Sequence, residues 1–367
     1  MAGHLRDAAL EGKLRRSLIS AYPLDEVGQI EQVHDGNNRV YRLKCRAPAP
    51  YDQMAVKLSK PGSGGIAGKL AEKTILDYLY HDPAFPFVPR LLAPTAEPGH
   101  ARCQPWGVLW DDGALLTCYR WVEAQRYRGS GQQLVQVGKR YGQLQQALPA
   151  INPAALPPAH HRLSRAADGR LQLAEDFTFS AFNAFIKSRA GGCAASAMLN
   201  LNLAFLEQEV ADLREGLDQH KRRIECWSRC LIHQELSPSN FGFAHDDSVS
   251  IIFDFDSISD GFPLQDTAWL CATFCVDYRK LPGEVARSAT VLLSSIRSQA
   301  AMPDGWQELL IPFMRLGYLA AIHRKLRLAH GGVDPRLGFV KEDILCLQWL
   351  RRHGGELALS ICRGTAP

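Results

Sequence analysis

The stretch from Cys230 to Asp256 constrains this chain more than any other. An apolar strand end, Cys230-Leu231-Ile232, runs into a polar loop, His233-Gln234-Glu235-Leu236-Ser237-Pro238-Ser239-Asn240, and Phe241-Gly242-Phe243 leads out of it. A turn at His245-Asp246-Asp247 precedes a second apolar run, Ser250-Ile251-Ile252-Phe253, which ends on Asp254 and Asp256. Hard oxygen ligands presented from loops on a rigid apolar base are what a site for magnesium and phosphate needs. An acid set between Phe253 and Phe255 is costly to bury without a cation beside it, which marks Asp254 for function. Asp256 reads either as a second metal or substrate contact or as a turn residue capping Ser257 and Ser259.

Composition narrows the setting. With 46% hydrophobic and 22% charged residues, 367 residues suffice for a sizeable core, which excludes a disordered chain and a disulfide miniprotein. Lys+Arg number 42 against 38 Asp+Glu, a net +4, with no block of like charge that would mark a nucleic-acid or membrane tail. The first residues, MAGHLRDAALEGKLRRSLIS, carry interleaved charges and no apolar core of a secretion signal. Apolar stretches such as that from Ala268 to Val276 fall far short of the roughly 20 residues that cross a bilayer. A cytoplasmic protein with neither nucleic acid nor membrane as partner is expected. The ten cysteines are dilute and read as free, mostly buried thiols. Cys226/Cys230 and Cys271/Cys275 have the four-residue offset of one helix face, but no CxxC or HxxxH partner accompanies them as a metal site would require.

The N-terminal third reads as strands. After a short helix, Ile30 to Val33 leads into His34-Asp35-Gly36-Asn37-Asn38, and Val40-Tyr41-Arg42-Leu43 leads out, the alternation and Asp-Gly turn of a hairpin. Met54 to Leu58 forms a third strand. A Gly-rich stretch follows, and Leu70, Ile75, Leu76 and Leu79 then recur at helical spacing on a helix that carries Glu72. A second hairpin is expected from Trp106 to Trp110 and Ala114 to Tyr119 around Asp111-Asp112-Gly113. Beyond Val122 helices dominate. Leu203, Leu206, Val210, Leu213 and Leu217 make a core-facing stripe, Leu309 to Leu328 and Ile344 to Leu350 are further helices, and the Pro/Ala-rich residues Leu148 to His161 read as an exposed loop.

The segment His233-Gln234-Glu235, Asn240, Asp254-Phe255-Asp256 resembles the catalytic loop of the aminoglycoside phosphotransferase and choline kinase superfamily, whose pattern runs His-Gly-Asp, four residues, Asn, then Ile-Asp-Phe/Trp-Asp/Glu. Gly261-Phe262-Pro263-Leu264-Gln265-Asp266-Thr267-Ala268 is similar to the family's Gly-x-Pro-x-x-Asp-Leu-Ala segment. The resemblance implies an α+β, protein-kinase-like fold of two lobes: an N-lobe over 1–121 with a five-stranded antiparallel sheet and one main helix, and a larger, mainly helical C-lobe over 122–367. It further implies that Gly36, Asn37 and Asn38 cover the phosphates of ATP, with GTP as the alternative nucleotide. Lys57 would hold the phosphates with Glu72 as its ion-pair partner, and Tyr119 and Trp121 would lie at the hinge where adenine is held. Asn240, Asp254 and Asp256 are the implied magnesium ligands and Glu235 the catalytic acid at the acceptor hydroxyl, with Asn240 and Asp254 completing the catalytic set. His233 and Asp266 are expected to be structural.

One departure stands out: where the family has His-Gly-Asp this chain has His233-Gln234-Glu235, exchanging both the glycine and the aspartate. The extra methylene displaces the carboxylate by about 1.5 Å, and Gln234 removes the conformational freedom of glycine. The expected function is phosphoryl transfer from ATP to a hydroxyl of a small molecule (antibiotic, amino alcohol, sugar or related metabolite) or of a biosynthetic peptide. The alternative is a catalytically impaired kinase-like module that binds a peptide or partner protein. Glu207, Glu209 and Asp212, where relatives build the acceptor pocket, are offset by Lys221, Arg222 and Arg223, and Arg324, Lys325 and Arg327 read as a solvated basic face.

Overall fold

The computed structural model describes residues 3–4, 8–35, 38–59, 65–95, 103–151, 179, 182, 184, 194–328 and 336–364. Gly36 and Asn37, most of the Leu148 to His161 stretch and the side chain of Arg327 lie outside the described residues.

The hairpin expected around Asp35 is β2 (Glu26–Asp35) against β3 (Asn38–Arg46), antiparallel, with Ile30 opposite Leu43 and Gln32 opposite Tyr41. β4 (Gln53–Ser59) continues the sheet with Val40 opposite Lys57. Side chains alternate across a strand, so Met54 and Val56 go one way and Ala55 and Lys57 the other. The first face, with Tyr41, Leu43 and Cys118, is closed by Leu14 and Leu18 of α1 (Ala8–Ala21). β8 (Leu115–Arg120) lies on the far side of β4, placing Thr117 opposite Lys57 and Tyr119 opposite Ala55.

The sheet is larger than the five strands expected. The added strands are β1 (Gly3–His4), β5 (Leu91–Leu92) and β6 (Cys103–Gln104), while β7 (Gly107–Leu109) completes the second hairpin with β8. Eight strands result, in the order β1-β2-β3-β4-β8-β7-β6 with β5 also on β8. Two residues cannot show a period of two, which is why the short strands leave no trace in the hydropathy pattern.

The second face of the sheet meets α2 (Gly65–Tyr80), whose Ala71, Ile75, Leu76 and Leu79 join Tyr119 in a core that continues into the helical half. There, α3 (Gly131–Ala147) begins on Ser130, whose hydroxyl accepts from the Gln133 N–H at 3.0 Å. α4 (Ala194–Gln219) carries the expected stripe, with Leu206, Val210, Leu213 and Leu217 buried and Leu203 partly so. After α5 (Lys221–Glu225) come α6 (Pro263–Cys275), α7 (Pro282–Arg297), α8 (Trp306–Leu328) and α9 (Arg336–Gly364). α3 lies close on α7 because Gly138 leaves room: a Cβ there would stand 2.7 Å from the Leu292 carbonyl oxygen.

Two small ladders carry the loops. β9 (Cys230–Ile232) pairs with β12 (Ser259–Gly261), and β10 (Phe241–Phe243) pairs with β11 (Val249–Ile252). Residues 233–240 leave the first ladder and enter the second, while 253–258 make the return, so the two loops are held side by side. Cys226 follows α5 and Cys230 opens β9, so that pair shares no helix face, whereas Cys271 and Cys275 are both buried in α6. Among the described residues no helix is long and apolar enough to cross a membrane.

Candidate active site

Asp266, at the start of α6, organises the loop. Its carboxylate, fully buried, accepts from the backbone N–H of His233 at 2.5 Å and of Gln234 at 2.7 Å. Burial lifts this carboxyl to about 7, and the two backbone hydrogen bonds pull against that rise. Gln234 takes φ 66°, the left-handed conformation glycine would adopt freely, and its side-chain amide donates to the Ser259 hydroxyl. The exchange for glutamine therefore keeps the turn, at a backbone cost of about 1–2 kcal/mol, rather than abolishing it. His233 is buried, its Nε2 donates to the Phe253 carbonyl at 3.0 Å, and its ring stacks edge-on with Phe255 at 4.8 Å. Burial holds its pKa down at about 4, so the imidazole is neutral and structural.

Asn240 closes the loop. Its Nδ2 donates to the Glu235 carbonyl at 2.7 Å, which leaves the amide oxygen as its acceptor atom, while its own carbonyl accepts from Phe253 N–H at 2.8 Å. Asp254 follows in the left-handed region at φ 67°. Lys57 reaches across from β4, donating to Asp254 Oδ1 at 2.5 Å and Asp256 Oδ2 at 2.7 Å. Burial alone would lower the Lys57 pKa, but Asp254 and Asp256 outweigh it and raise it well above the usual lysine value.

The expected Lys57–Glu72 ion pair is not the one formed. Glu72 accepts instead from Lys69, one turn earlier on α2, at 2.7 Å and from the Tyr119 hydroxyl at 2.7 Å. Lys69 also reaches Asp256 Oδ2 at 3.2 Å, and it is almost wholly buried. A lysine three residues before Glu72 lies on the same helix face, closer to the glutamate than a residue of the sheet, so it takes the carboxylate. Sequence reasoning missed Lys69; its signal was an i,i+3 Lys–Glu pair inside an apolar helix. The same network takes in further residues of the expected site. Burial would raise the Asp256 carboxyl, but Lys69 and Lys57 outweigh it and hold its pKa far below the usual range. The Tyr119 hydroxyl points into this network, and the Trp121 ring lies under the Arg42 guanidinium at 4.7 Å.

Glu235 extends the other way. Its carboxylate pairs with Arg324 on α8, so Arg324 is not part of a solvated basic face, and neither is Lys325, which pairs with Asp343 at 2.5 Å. Burial raises the Glu235 carboxyl to about 7; Arg324 pulls it down, and Asp254, within hydrogen-bonding reach, and Asp256 push it up. Of the acids on α4, Glu209 is buried between Arg315 at 2.6 Å and Arg351 at 3.1 Å, and Asp212 is held by Arg351 at 2.7 Å. These carboxylates are spent inside the lobe.

The residues present suit a magnesium–nucleotide complex. Two lysines, Lys57 and Lys69, face three carboxylates, Glu72, Asp254 and Asp256, leaving an excess of negative charge that a cation would offset. Among the described residues no group of three His, Cys, Asp or Glu forms a cage of its own. At the far end of β3 and β4, Asn38 stands opposite Ser59, and Asn38 Oδ1 and Ser59 Oγ are buried without a hydrogen-bond partner among the described residues. The Ser59 hydroxyl, free to donate, suits a polyanionic ligand over Lys57, whereas the Asn38 amide oxygen can only accept.

Among solved structures the chain is similar to the amicoumacin kinase hAmiN in complex with AMP-PNP, Ca2+ and Ami, at 16% identity and TM-score 0.60 over 94% of each chain. It is similar to a microcompartment-associated aminopropanol kinase at 14% identity and TM-score 0.60, over 97% of this chain and 100% of that one. It is also similar to a spectinomycin phosphotransferase in complex with ADP and spectinomycin, at 12% identity and TM-score 0.59, over 95% of this chain and 98% of the other. No curated protein matches the sequence. These likenesses show the two-lobed, kinase-like fold. Residues 29–290, spanning the sheet, the loop and α6, match the family described as "Phosphotransferase enzyme family", and the chain belongs to that family.

Proposed function

We propose that this phosphotransferase moves the γ-phosphoryl group of ATP to a hydroxyl of a small molecule. The observation that carries the reading is one cluster built from both lobes, in which Lys57 of the sheet meets Asp254 of the return loop, with the Glu235 carboxyl beside Asp254. Lys57 supplies positive charge for the phosphates, and Ser59 offers a hydroxyl donor at the hairpin end. Asn240, through its amide oxygen, and Asp254 are the residues that would hold magnesium, which when bound would supply positive charge to offset the charge of the transferring phosphoryl group. Glu235 accepts the hydroxyl proton or orients the hydroxyl for attack. Asp266 and His233 keep the loop in shape. Catalysis of this kind rests on positioning and electrostatics rather than on a covalent intermediate.

Amino alcohols and hydroxylated antibiotics are the acceptor class favoured by the similar structures, whose names include aminopropanol, spectinomycin and amicoumacin kinases. Because Glu209 and Asp212 of α4 are already paired with arginines, a small or singly charged acceptor fits better than a polycation. ATP is favoured over GTP by the AMP-PNP and ADP of those complexes. The test is acceptor-dependent ADP release with magnesium and ATP across a panel of hydroxyl compounds. Turnover with at least one small acceptor supports the reading; no nucleotide binding and no ADP release across the panel would sink it. A role as a protein-binding module has no observation in its favour.

A further inference from the structure

We infer that Arg324 is a positioning residue for Glu235, the two forming a paired replacement for the single aspartate of the family's loop. The inference rests on reading Glu235 as the acceptor-side carboxylate. The backbone around Glu235 is fixed on both sides, by Asp266 on the N–H of Gln234 and by Asn240 Nδ2 on the carbonyl of Glu235 itself. What the loop does not fix is the far end of the side chain. Glutamate has one more rotatable bond than aspartate, so its carboxylate samples more rotamers and reaches farther from the pinned backbone. The end is gripped by Arg324, near the C-terminus of α8, whose guanidinium donates to Oε1. The neighbouring acid, Asp343, is occupied by Lys325 at 2.5 Å, which leaves Arg324 to Glu235. A planar guanidinium is suited to fixing a carboxylate in one orientation, as a lysine is not. With the Arg324 side chain 48% exposed, the pair adds little to folding. Its worth is in where it places the Glu235 oxygens.

The test follows ADP release from magnesium ATP, with water alone as acceptor and with 1-amino-2-propanol added, in four forms: wild type, Arg324→Met, Glu235→Gln and the double variant. Arg324→Met is expected to lower kcat by roughly 10- to 100-fold, the cost of a misplaced catalytic group, with the KM for ATP unchanged within about twofold. Millimolar guanidinium ion should restore part of the lost rate, and Arg324→Lys should fall between. In the Glu235→Gln background, adding Arg324→Met should change kcat by less than about twofold, because the group it positions is gone. An unchanged kcat in Arg324→Met while Glu235→Gln has lost activity overturns the inference. So does an equal loss in both backgrounds, a rise confined to acceptor KM, or a melting-temperature drop beyond about 4 °C that Arg324→Gln shares, which marks a structural pair. If Glu235→Gln keeps full kcat, or wild type neither binds nucleotide nor releases ADP with any acceptor of a small-hydroxyl panel, it is the reading of the site itself that falls.

Discussion

Glu235 shows how a single side chain can keep its chemistry and change its geometry. The longer carboxylate is paired with Arg324 of α8, and if that pair places it for the acceptor, Glu235→Asp should lower turnover, by about tenfold to a hundredfold for a shift near 1.5 Å. A gain in kcat on the same substitution would show that the glutamate is a defect. Its neighbour His233 makes a prediction about stability. Its folded pKa of about 4 lies below the ordinary histidine value of about 6.5, so the unfolded chain takes up the proton first as pH falls. Stability from the neutral, buried ring is therefore full above about 6.5 and lost progressively toward pH 4, by on the order of 3 kcal/mol. His233→Gln should remove that part of the slope, read as the difference between the two proteins' urea midpoints across pH 4 to 7. At this scale the sequence was legible for which residues gather: Lys57 and Asp254, named from separate motifs, meet in the structure. It was silent where the role is set by a partner distant in sequence: Arg324 meets Glu235 across 89 positions, and no local pattern announces that contact.

Among the elements, the catalytic loop is shaped from outside itself, by α6. Asp266 satisfies two consecutive backbone N–H groups, and asparagine can accept only one of them, turning an NH2 toward the other. Asp266→Asn should cost about 1–3 kcal/mol of stability and loosen the loop. A fall in kcat of about tenfold or more with little change in the KM for ATP is expected in steady-state kinetics; a variant as active and as stable as wild type would remove Asp266 from this role. The helix N-terminal placement of Asp266 was readable from the Pro263 to Thr267 segment, but its reach back to His233 was not. The long strands β2, β3 and β4 and the hairpin of β7 and β8 were readable from alternation and turn residues. The two-residue strands were not, because they carry no period. Glu72 was found on its helix from apolar spacing, and its partner was mistaken because Lys69, on the same helix, lies nearer than the lysine of the sheet.

For the molecule as a whole, Lys57 is the latch between the sheet and the loops of the helical half, and the carboxylates it holds include the one assigned to magnesium. Lys57→Met should therefore lower ATP turnover at least about a hundredfold, while freeing Asp254 for cations. Without nucleotide, millimolar magnesium should raise the melting temperature of this variant more than that of wild type, since a ligand stabilises the form that binds it. Equal magnesium shifts would show that Lys57 does not compete for the site. The near-neutral charge of the chain is consistent with an anionic cosubstrate held by a few placed residues. Whether the cluster around Asp254 transfers phosphoryl groups from ATP to a hydroxyl is read in ADP release from magnesium ATP with a panel of small hydroxyl acceptors, for wild type and Asp254→Asn. Acceptor-stimulated release by wild type and a loss of at least about a hundredfold in the variant are expected; equal release by the two proteins would rule Asp254 out of the transfer.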